Sequence, residues 1–442
     1  MANRNYDVLV IGGGASGIAA AITAKKENPA ISIAILEKGD KLGRKLAITG
    51  NGRCNISNVN ALCADEVWEF LKDGCGILLR RDEVGRIYPY SEDAGQVAEY
   101  LGELAESLGV EILLNHEVKK VEACPGGGFL LLVNGPACGR QGEQNDGTKK
   151  LKAEYVVLAT GGKSYPKTGS TGDGYVIARS LGHEVSPLRP ALVPVCVEPY
   201  KLKAVEDGRK TNNQKVCGFD MKELAGVRAK AHVHLIEAGK DMGYTRGEVQ
   251  FREDSISGIC VLDLSSGILP HGSLGREGYA DYELSLDLMP DMDEQELEKY
   301  FEKNGAGMHA LKPLVKDKLA RVLLAQARCT DGKKKQDANG EVLANSGQST
   351  VDDQAAELAK IMKDFRLQVT GLKGWKEAQV TAGGVSTQDV NLGSLESKIV
   401  PGLYITGEVL DFAMDCGGFN LAFAWMTGSR AGRAIAKEGK DV

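Results

Sequence analysis

The chain is 442 residues long, with 54 Lys+Arg against 60 Asp+Glu and a formal net charge of −6. Hydrophobic residues at 43% and charged residues at 26% describe an ordinary folded chain of two or three domains, each able to bury a core. Its 55 glycines are an excess, but they follow no Gly-X-Y period and prolines number only 13, which excludes collagen-like and Pro/Gly-rich disordered chains.

The acidic balance argues against a nucleic-acid partner, because that affinity rests on clustered Lys/Arg neutralising phosphates. The strongest basic run, Lys333–Lys335, is only three residues long. Ten cysteines are present without a CxxC, so no metal site or redox dithiol is expected, only the reduced thiols of a cytoplasmic protein. The uncharged run Val8–Ala24 mimics a signal-peptide core, but Asp7 precedes it and four glycines interrupt it. No other segment approaches about 18 apolar residues, so no membrane partner is expected either.

Tyr6–Ile11 (YDVLVI) is a near-continuous apolar run, the pattern of a strand buried on both faces of a parallel sheet. Gly12-Gly13-Gly14-Ala15-Ser16-Gly17 follows, then an alanine-rich helical stretch to about Lys26. A second strand, Ser32–Leu36, ends in Glu37, twenty residues after Gly17. Strand, GxGxxG, helix and distant acid together read as a dinucleotide-binding fold. Gly12 turns the chain off the strand, Gly14 admits a pyrophosphate, and Gly17 lets helix and strand pack closely. The helix N-terminus, with Ala15 and Ser16, faces the phosphates. Glu37, with Lys38 beside it, is placed to accept from ribose hydroxyls.

The glycine-spaced loop Gly43–Asn55 offers Arg44, Thr49, Gly50, Asn51, Gly52, Arg53 and Cys54 for contacts to a pyrophosphate and a heterocycle edge. Tyr155–Leu158 is a further buried strand. It ends in Ala159-Thr160-Gly161-Gly162, where backbone meets cofactor, and Lys163–Gly174 then opens a helix through Arg179. Residues 191–369 carry no cofactor motif. They hold hairpin-like strands Arg228–Glu237 and Glu283–Leu288, helix-like Asp293–Lys303, Lys316–Ala327 and Asp352–Lys363, and a polar surface loop at Asp331–Gln348. Asn304–Ala310 matches GxGxxA in form only, since it follows a charged helix and not a buried strand. Late in the chain come Gly384, the strand Leu403–Thr406, Gly407-Glu408, and Cys416–Leu421 opening a final helix, Ala422–Ala436. Gly418, Phe419, Asn420 and Leu421 join the candidate cofactor contacts. An FAD domain of glutathione-reductase-like type needs such a closing segment to hold the ribityl chain and flavin, whereas an NAD-only Rossmann domain does not. The expected cofactor is therefore non-covalent FAD. The expected organisation is an FAD-binding domain in two segments, 1–190 and 370–442, around an inserted substrate or cap domain, 191–369.

These motifs resemble those of the BaiN/RdsA-type FAD-dependent oxidoreductases, also described as YhiN-like or aminoacetone-oxidase-family flavoproteins. The resemblance rests on GGGASG (12–17), GRKLAITGNGRCNISN (43–58), ATGGKSYPKTGSTGDGY (159–175), TAGGV (381–385), GEVLD (407–411) and DCGGFNLAFAW (415–425), and so spans nearly the whole chain. It implies an α/β, Rossmann-type FAD domain split by an insert with β-barrel-like and small helical parts. Two departures lie close to the substrate space implied by the family. Arg252, Glu253 and Ser255 stand where the insert's pattern has Thr, His/Asp and Gly, and Ala413, Met414 and Ala422 stand where Asp, Gly and Gln are common.

In such an enzyme the flavin carries the redox chemistry and the protein supplies orientation and electrostatics. By resemblance, the expected reaction is NAD(P)H-fed reduction of an activated C=C or carbonyl in a small organic substrate, of steroid or bile-acid type. Tyr165, Arg252 and Glu253, with Lys163, are the candidate proton donors. The alternatives are an oxidase of a small amine or amino ketone using O₂, and a non-catalytic flavin-binding redox sensor. Cys54 reads as a plain buried thiol, His183 and His271 as structural, and His232 and His234 as an alternating pair with no third metal ligand. Arg179 and Arg189 pair with carboxylates or meet an anionic substrate. The sequence leaves the substrate and the oligomeric state open.

Overall fold

The computed structural model describes residues 4–136, 148–199, 219–272, 276–331 and 351–439. Residues 332–348 of the polar stretch expected as a loop, Lys333–Lys335 among them, lie outside the described residues. The chain divides into two units, residues 1–191 with 374–442, and 192–373.

The first unit contains β1 (Arg4–Ile11), α1 (Ala15–Glu27), β2 (Ile33–Glu37), α2 (Ala94–Ser107), β3 (Glu111–Leu114), β4 (Glu117–Ala123), β5 (Phe129–Asn134), β6 (Thr148–Leu158) and α3 (Asp173–Ser180). A closing strand, Leu403–Ile405, and a closing helix, Phe419–Glu438, complete it. Parallel pairing runs β3-β2-β1-β6-closing strand, the five-strand core of a Rossmann sheet. Val8 to Ile11 are at most 4% exposed, as a central strand covered on both faces requires. The first half of β6 also pairs antiparallel with β5, and β5 with β4.

The closing helix lies directly on α1. A side chain at Gly428 would stand 2.2 Å from the Ser16 carbonyl, and one at Gly432 2.3 Å from that of Ala20. A glycine inside a helix costs about 1 kcal/mol relative to alanine. Here the close approach of two backbones requires both.

The second unit is a closed six-strand barrel with a helical cap. Its strands are β7 (Val195–Pro199), β8 (Arg228–Glu237), β9 (Lys240–Phe251), β10 (Ser255–Ser257), β11 (Tyr282–Asp287) and β12 (Phe365–Leu372), arranged β7-β10-β9-β8-β11-β12. Antiparallel pairing of β7 with β12 closes it, which removes exposed strand edges. Val195, Val233, Phe251, Leu284, Phe365 and Leu367 fill its core. Helices α4 (Glu294–Asn304), α5 (Asp317–Asp331) and α6 (Val351–Lys363) add buried Leu297, Phe301, Leu323, Leu358 and Met362. Because β12 runs to Leu372, the insert ends at Lys373, four residues beyond the motif-based boundary. The GxGxxA-like stretch is a helix junction: Gly305 (φ +84°) caps the end of α4, and Gly307 caps the start of the short helix Met308–Leu311. Among the described residues no helix is long and apolar enough to cross a membrane.

Candidate cofactor site

The GxGxxG glycines differ in what makes them necessary. Gly12 has φ +104°, and a side chain there would stand 2.5 Å from the Ala159 carbonyl. At Gly17 it would stand 2.1 Å from the Gly12 carbonyl. Both are required by the fold itself. Gly14, the N-cap of α1, has an ordinary extended conformation (φ −83°, ψ −175°), and a side chain there would meet nothing within 4 Å. The protein does not explain that glycine, but a ligand in the open space before it would. The first turn of α1 carries no acid and its last turn carries Lys25 and Lys26. That arrangement leaves the positive N-terminal end of the helix, with Ala15 and Ser16, available to an anion.

Glu37 sits at the end of β2. Its Oε2 accepts from Gly13 N–H (2.9 Å) and its Oε1 from Gly39 N–H (2.7 Å). A carboxylate has about four acceptor positions, so two remain for ribose hydroxyls. The neighbouring Lys38 turns away from a ligand role, its ammonium bound to Asp173 and Thr171. Arg44 donates to the Lys167 carbonyl (3.1 Å).

The loop after β2 is tied to the glycine turn by Gly43 N–H donating to Gly13 O (2.8 Å). Gly50, Asn51, Gly52 and Cys54 all take positive φ (59°, 55°, 86° and 61°), which makes the loop a tight coil. Thr49 Oγ1 closes on Leu46 O (2.7 Å). Arg53 is exposed and lies 5.5 Å over the Tyr88 ring. Cys54 is fully buried, and burial pushes its thiol up to about 12, with a hydrogen bond from Thr49 acting the other way and the charge of Asp93 adding to the rise. It is therefore a neutral thiol and a poor nucleophile.

The third string, Ala159–Ser164, follows β6 and converges on Glu408. Glu408 Oε2 accepts from Lys45 Nζ (2.7 Å) and Gly162 N–H (3.3 Å), and Oε1 from Thr381 N–H (2.7 Å) and the Ser164 hydroxyl (2.9 Å). Thr381 Oγ1 accepts in turn from the N–H groups of Lys163 (2.7 Å) and Ser164 (3.2 Å). The sequence pointed to Glu408 and Gly162 as cofactor contacts but missed Lys45, Ser164 and Thr381. Those three lie inside the quoted motifs, and only the folded chain shows that they meet.

The closing segment is equally constrained. Gly407 (φ +69°) donates to Thr427 Oγ1 (2.9 Å). Gly384 backs onto Leu410 and Asp411, and a side chain at Gly418 would stand 2.3 Å from Ser57 O. Asn420 folds back to bond both N–H and O of Met414 (2.9 and 2.7 Å). Phe419 and Leu421 pack against the core. Beside this segment an open pocket of about 490 Å³ is lined by Ser186, Pro187, Arg189, Ala382, Gly383, Asp411, Phe412 and Ala413. Of the candidate proton donors, Tyr165 (φ +55°) and Lys163 belong to the third string. The Tyr165 N–H donates to Trp375 O (3.0 Å), and the Lys163 ammonium lies 5.0 Å over the Trp375 ring. Arg252 and Glu253 are in the barrel unit, in the turn between β9 and β10.

The residues present fit a dinucleotide. Open space faces Gly14 and Gly52, and Asn55 Oδ1, Ser57 Oγ, Thr160 Oγ1 and Thr406 Oγ1, on the same strings, are buried without a protein partner. A split Rossmann domain carrying this cradle and a barrel insert defines an FAD-dependent oxidoreductase. The chain belongs to the HI0933-like family, whose profile, described as the HI0933-like protein Rossmann domain, matches residues 6–67 and 64–434. It is 31% identical to a 3-dehydro-bile acid delta(4,6)-reductase of Clostridium scindens, covering 97% of this chain and 98% of that one. It is 29% identical to a ribosomal RNA dihydrouridine synthase of Escherichia coli, covering 96% of each. Among solved structures it is similar to 3-ketosteroid-delta4-(5alpha)-dehydrogenase from Rhodococcus jostii (TM-score 0.49, 17% identity, covering 99% of this chain and 98% of that one).

Proposed function

We propose that this protein is a cytoplasmic, NAD(P)H-fed reductase that saturates a carbon–carbon double bond conjugated to a carbonyl, in a small organic substrate of steroid or bile-acid type. Bound FAD, once reduced, supplies the hydride. The observation that carries the reading is the pocket whose wall includes Ala382, next in the chain to Thr381 of the cradle, and Asp411, three residues after Glu408. Most of its accessible lining is polar, from residues such as Ser186, Arg189 and Asp411, and Pro187, Ala382, Phe412 and Ala413 add a smaller apolar part. Among the described residues no acid lies within ion-pair distance of Arg189, which is exposed on the rim. Its guanidinium is available to a carbonyl oxygen, where charge builds as the conjugated double bond is reduced. Asp411 is held by the Ser186 hydroxyl (2.7 Å). Tyr165 and Lys163 remain the proton-donor candidates of this unit. The names of the two relatives support the chemistry, because both describe hydrogen added across a carbon–carbon double bond.

Anaerobic addition of NADH or NADPH should bleach the visible flavin band, and androst-4-ene-3,17-dione should restore it. Failure of both nucleotides to bleach, with oxygen uptake on adding aminoacetone, would replace this reading with the oxidase. The relative at 29% identity favours a second reading, in which the double bond belongs to a uracil of ribosomal RNA. The net charge of −6 argues for the small molecule. Reoxidation of the bleached protein by ribosomal RNA but not by the enone would decide for the second reading.

A further inference from the structure

Glu408 was expected to hold the cofactor. Its carboxylate has about four acceptor positions, and four protein donors use them: Lys45 Nζ, Gly162 N–H, Thr381 N–H and Ser164 Oγ, at 2.7 to 3.3 Å. Lys45 Nζ also donates to Ser164 Oγ (2.6 Å), so the ion pair and the hydroxyl form a closed triangle. The pair is mostly withdrawn from water, with Lys45 29% and Glu408 19% exposed. It also spans the split in the domain. Lys45 comes from the loop after β2, Ser164 and Gly162 from the string after β6, and Glu408 and Thr381 from the closing segment. A side chain at Gly162 would stand 2.8 Å from the Glu408 carboxyl carbon and 2.3 Å from Thr381 Oγ1, so the knot leaves no slack.

We infer that Lys45 and Glu408 are a positioning pair: they fix three strings of the FAD cradle against one another and make no direct contact with the cofactor. The inference rests on the FAD reading above and changes the role of one of its residues. If Glu408 also held the ribityl chain, removing it would weaken FAD binding further even in the absence of Lys45. A positioning pair makes the two act as one.

The test is a double-mutant cycle read as FAD affinity, by quenching of flavin fluorescence as apo-protein is titrated, with the melting temperature of each apo-protein recorded alongside. Lys45→Met leaves a mostly buried carboxylate without its cation, and should raise the FAD Kd by about tenfold to hundredfold. Lys45→Met/Glu408→Gln removes both charges, and should bind at least about fivefold tighter than Lys45→Met alone. Effects that multiply independently, or a Kd unchanged across the cycle while only melting temperatures move, would overturn the inference. Should Lys45→Met not fold, Ser164→Ala removes only the bridging hydroxyl and should raise the Kd about threefold to tenfold; an unchanged Kd overturns the inference equally. Wild-type protein that takes up no FAD would remove the FAD reading and this inference together. Wild-type binding with an uncoupled pair would remove the inference alone.

Discussion

Replacing Gly14 and Gly17 by alanine should separate a ligand's glycine from a fold's glycine. At Gly14 the added methyl meets no atom within 4 Å, and the backbone angles suit any residue. Stiffening the unfolded chain gains about 0.4–1 kcal/mol, and an alanine N-cap loses about as much. The two nearly cancel, so the apo-protein should melt within about 3 °C of wild type. FAD affinity should nevertheless fall, because the methyl holds the pyrophosphate away from the α1 amides. Losing one or two charge-assisted hydrogen bonds at about 1.5–3 kcal/mol each weakens binding by tenfold or far more. At Gly17 the methyl would sit 2.1 Å from the Gly12 carbonyl, more than 1 Å inside van der Waals contact. Backbone cannot yield as a flexible side chain does, and overpacking of this kind costs about 1–3 kcal/mol or more. Gly17→Ala should therefore lose stability before any cofactor is added. Calorimetry of the apo-proteins and FAD titration measure the two effects separately. An unchanged FAD Kd in Gly14→Ala would show that no phosphate approaches that residue, and would refute the reasoning.

Cys54, whose thiol is pushed up to about 12 by burial, should resist iodoacetamide in native protein while the partly exposed Cys124 reacts, as read by peptide mass mapping; acid precipitation should also release all the FAD. Burial holds His183 below the usual imidazole range, with its ring bonded to Ser397 Oγ (2.8 Å). Between that lowered value and about 6.5 the unfolded chain binds a proton that the folded chain refuses. Stability is thus full above this window and falls with falling pH, and His183→Gln should flatten the fall by up to about 1.4 kcal/mol per pH unit in urea titrations. Phe365 is fully buried, with the rings of Phe219 and Phe251 centred 5.7 and 6.4 Å away. Phe365→Ala should cost the barrel about 3–5 kcal/mol. All three tryptophans (68, 375 and 425) belong to the other unit, so circular dichroism should report this loss before tryptophan fluorescence does.

The sequence revealed most where chemistry is local. A strand buried on both faces announces itself, as YDVLVI does, and Arg228–Glu237 carries a run of strand-forming residues that the folded chain keeps to the residue as β8. Glu37 was legible because its distance from the glycine turn is fixed by one helix and one strand. Glu408 was legible as a motif but not as a knot, since its partner Lys45 is 363 residues away and no local pattern encodes the meeting. Gly428 and Gly432 lie outside every quoted motif for the same reason. What makes them glycines is the backbone of α1. Part of the glycine excess therefore serves helix-on-helix contact and not a cofactor.

The split of the nucleotide unit also sets an order of events during synthesis. Every barrel strand lies between residues 192 and 373, so the insert can close while the ribosome is still working. The parallel sheet must wait for Leu403–Ile405, and α1 must wait for the helix that ends at Glu438. At roughly 5–20 residues per second, the first 191 residues wait on the order of 12–50 seconds for their last partner. Throughout that interval the apolar face of α1 is uncovered, and the nascent first half has to be shielded until the closing helix has been made.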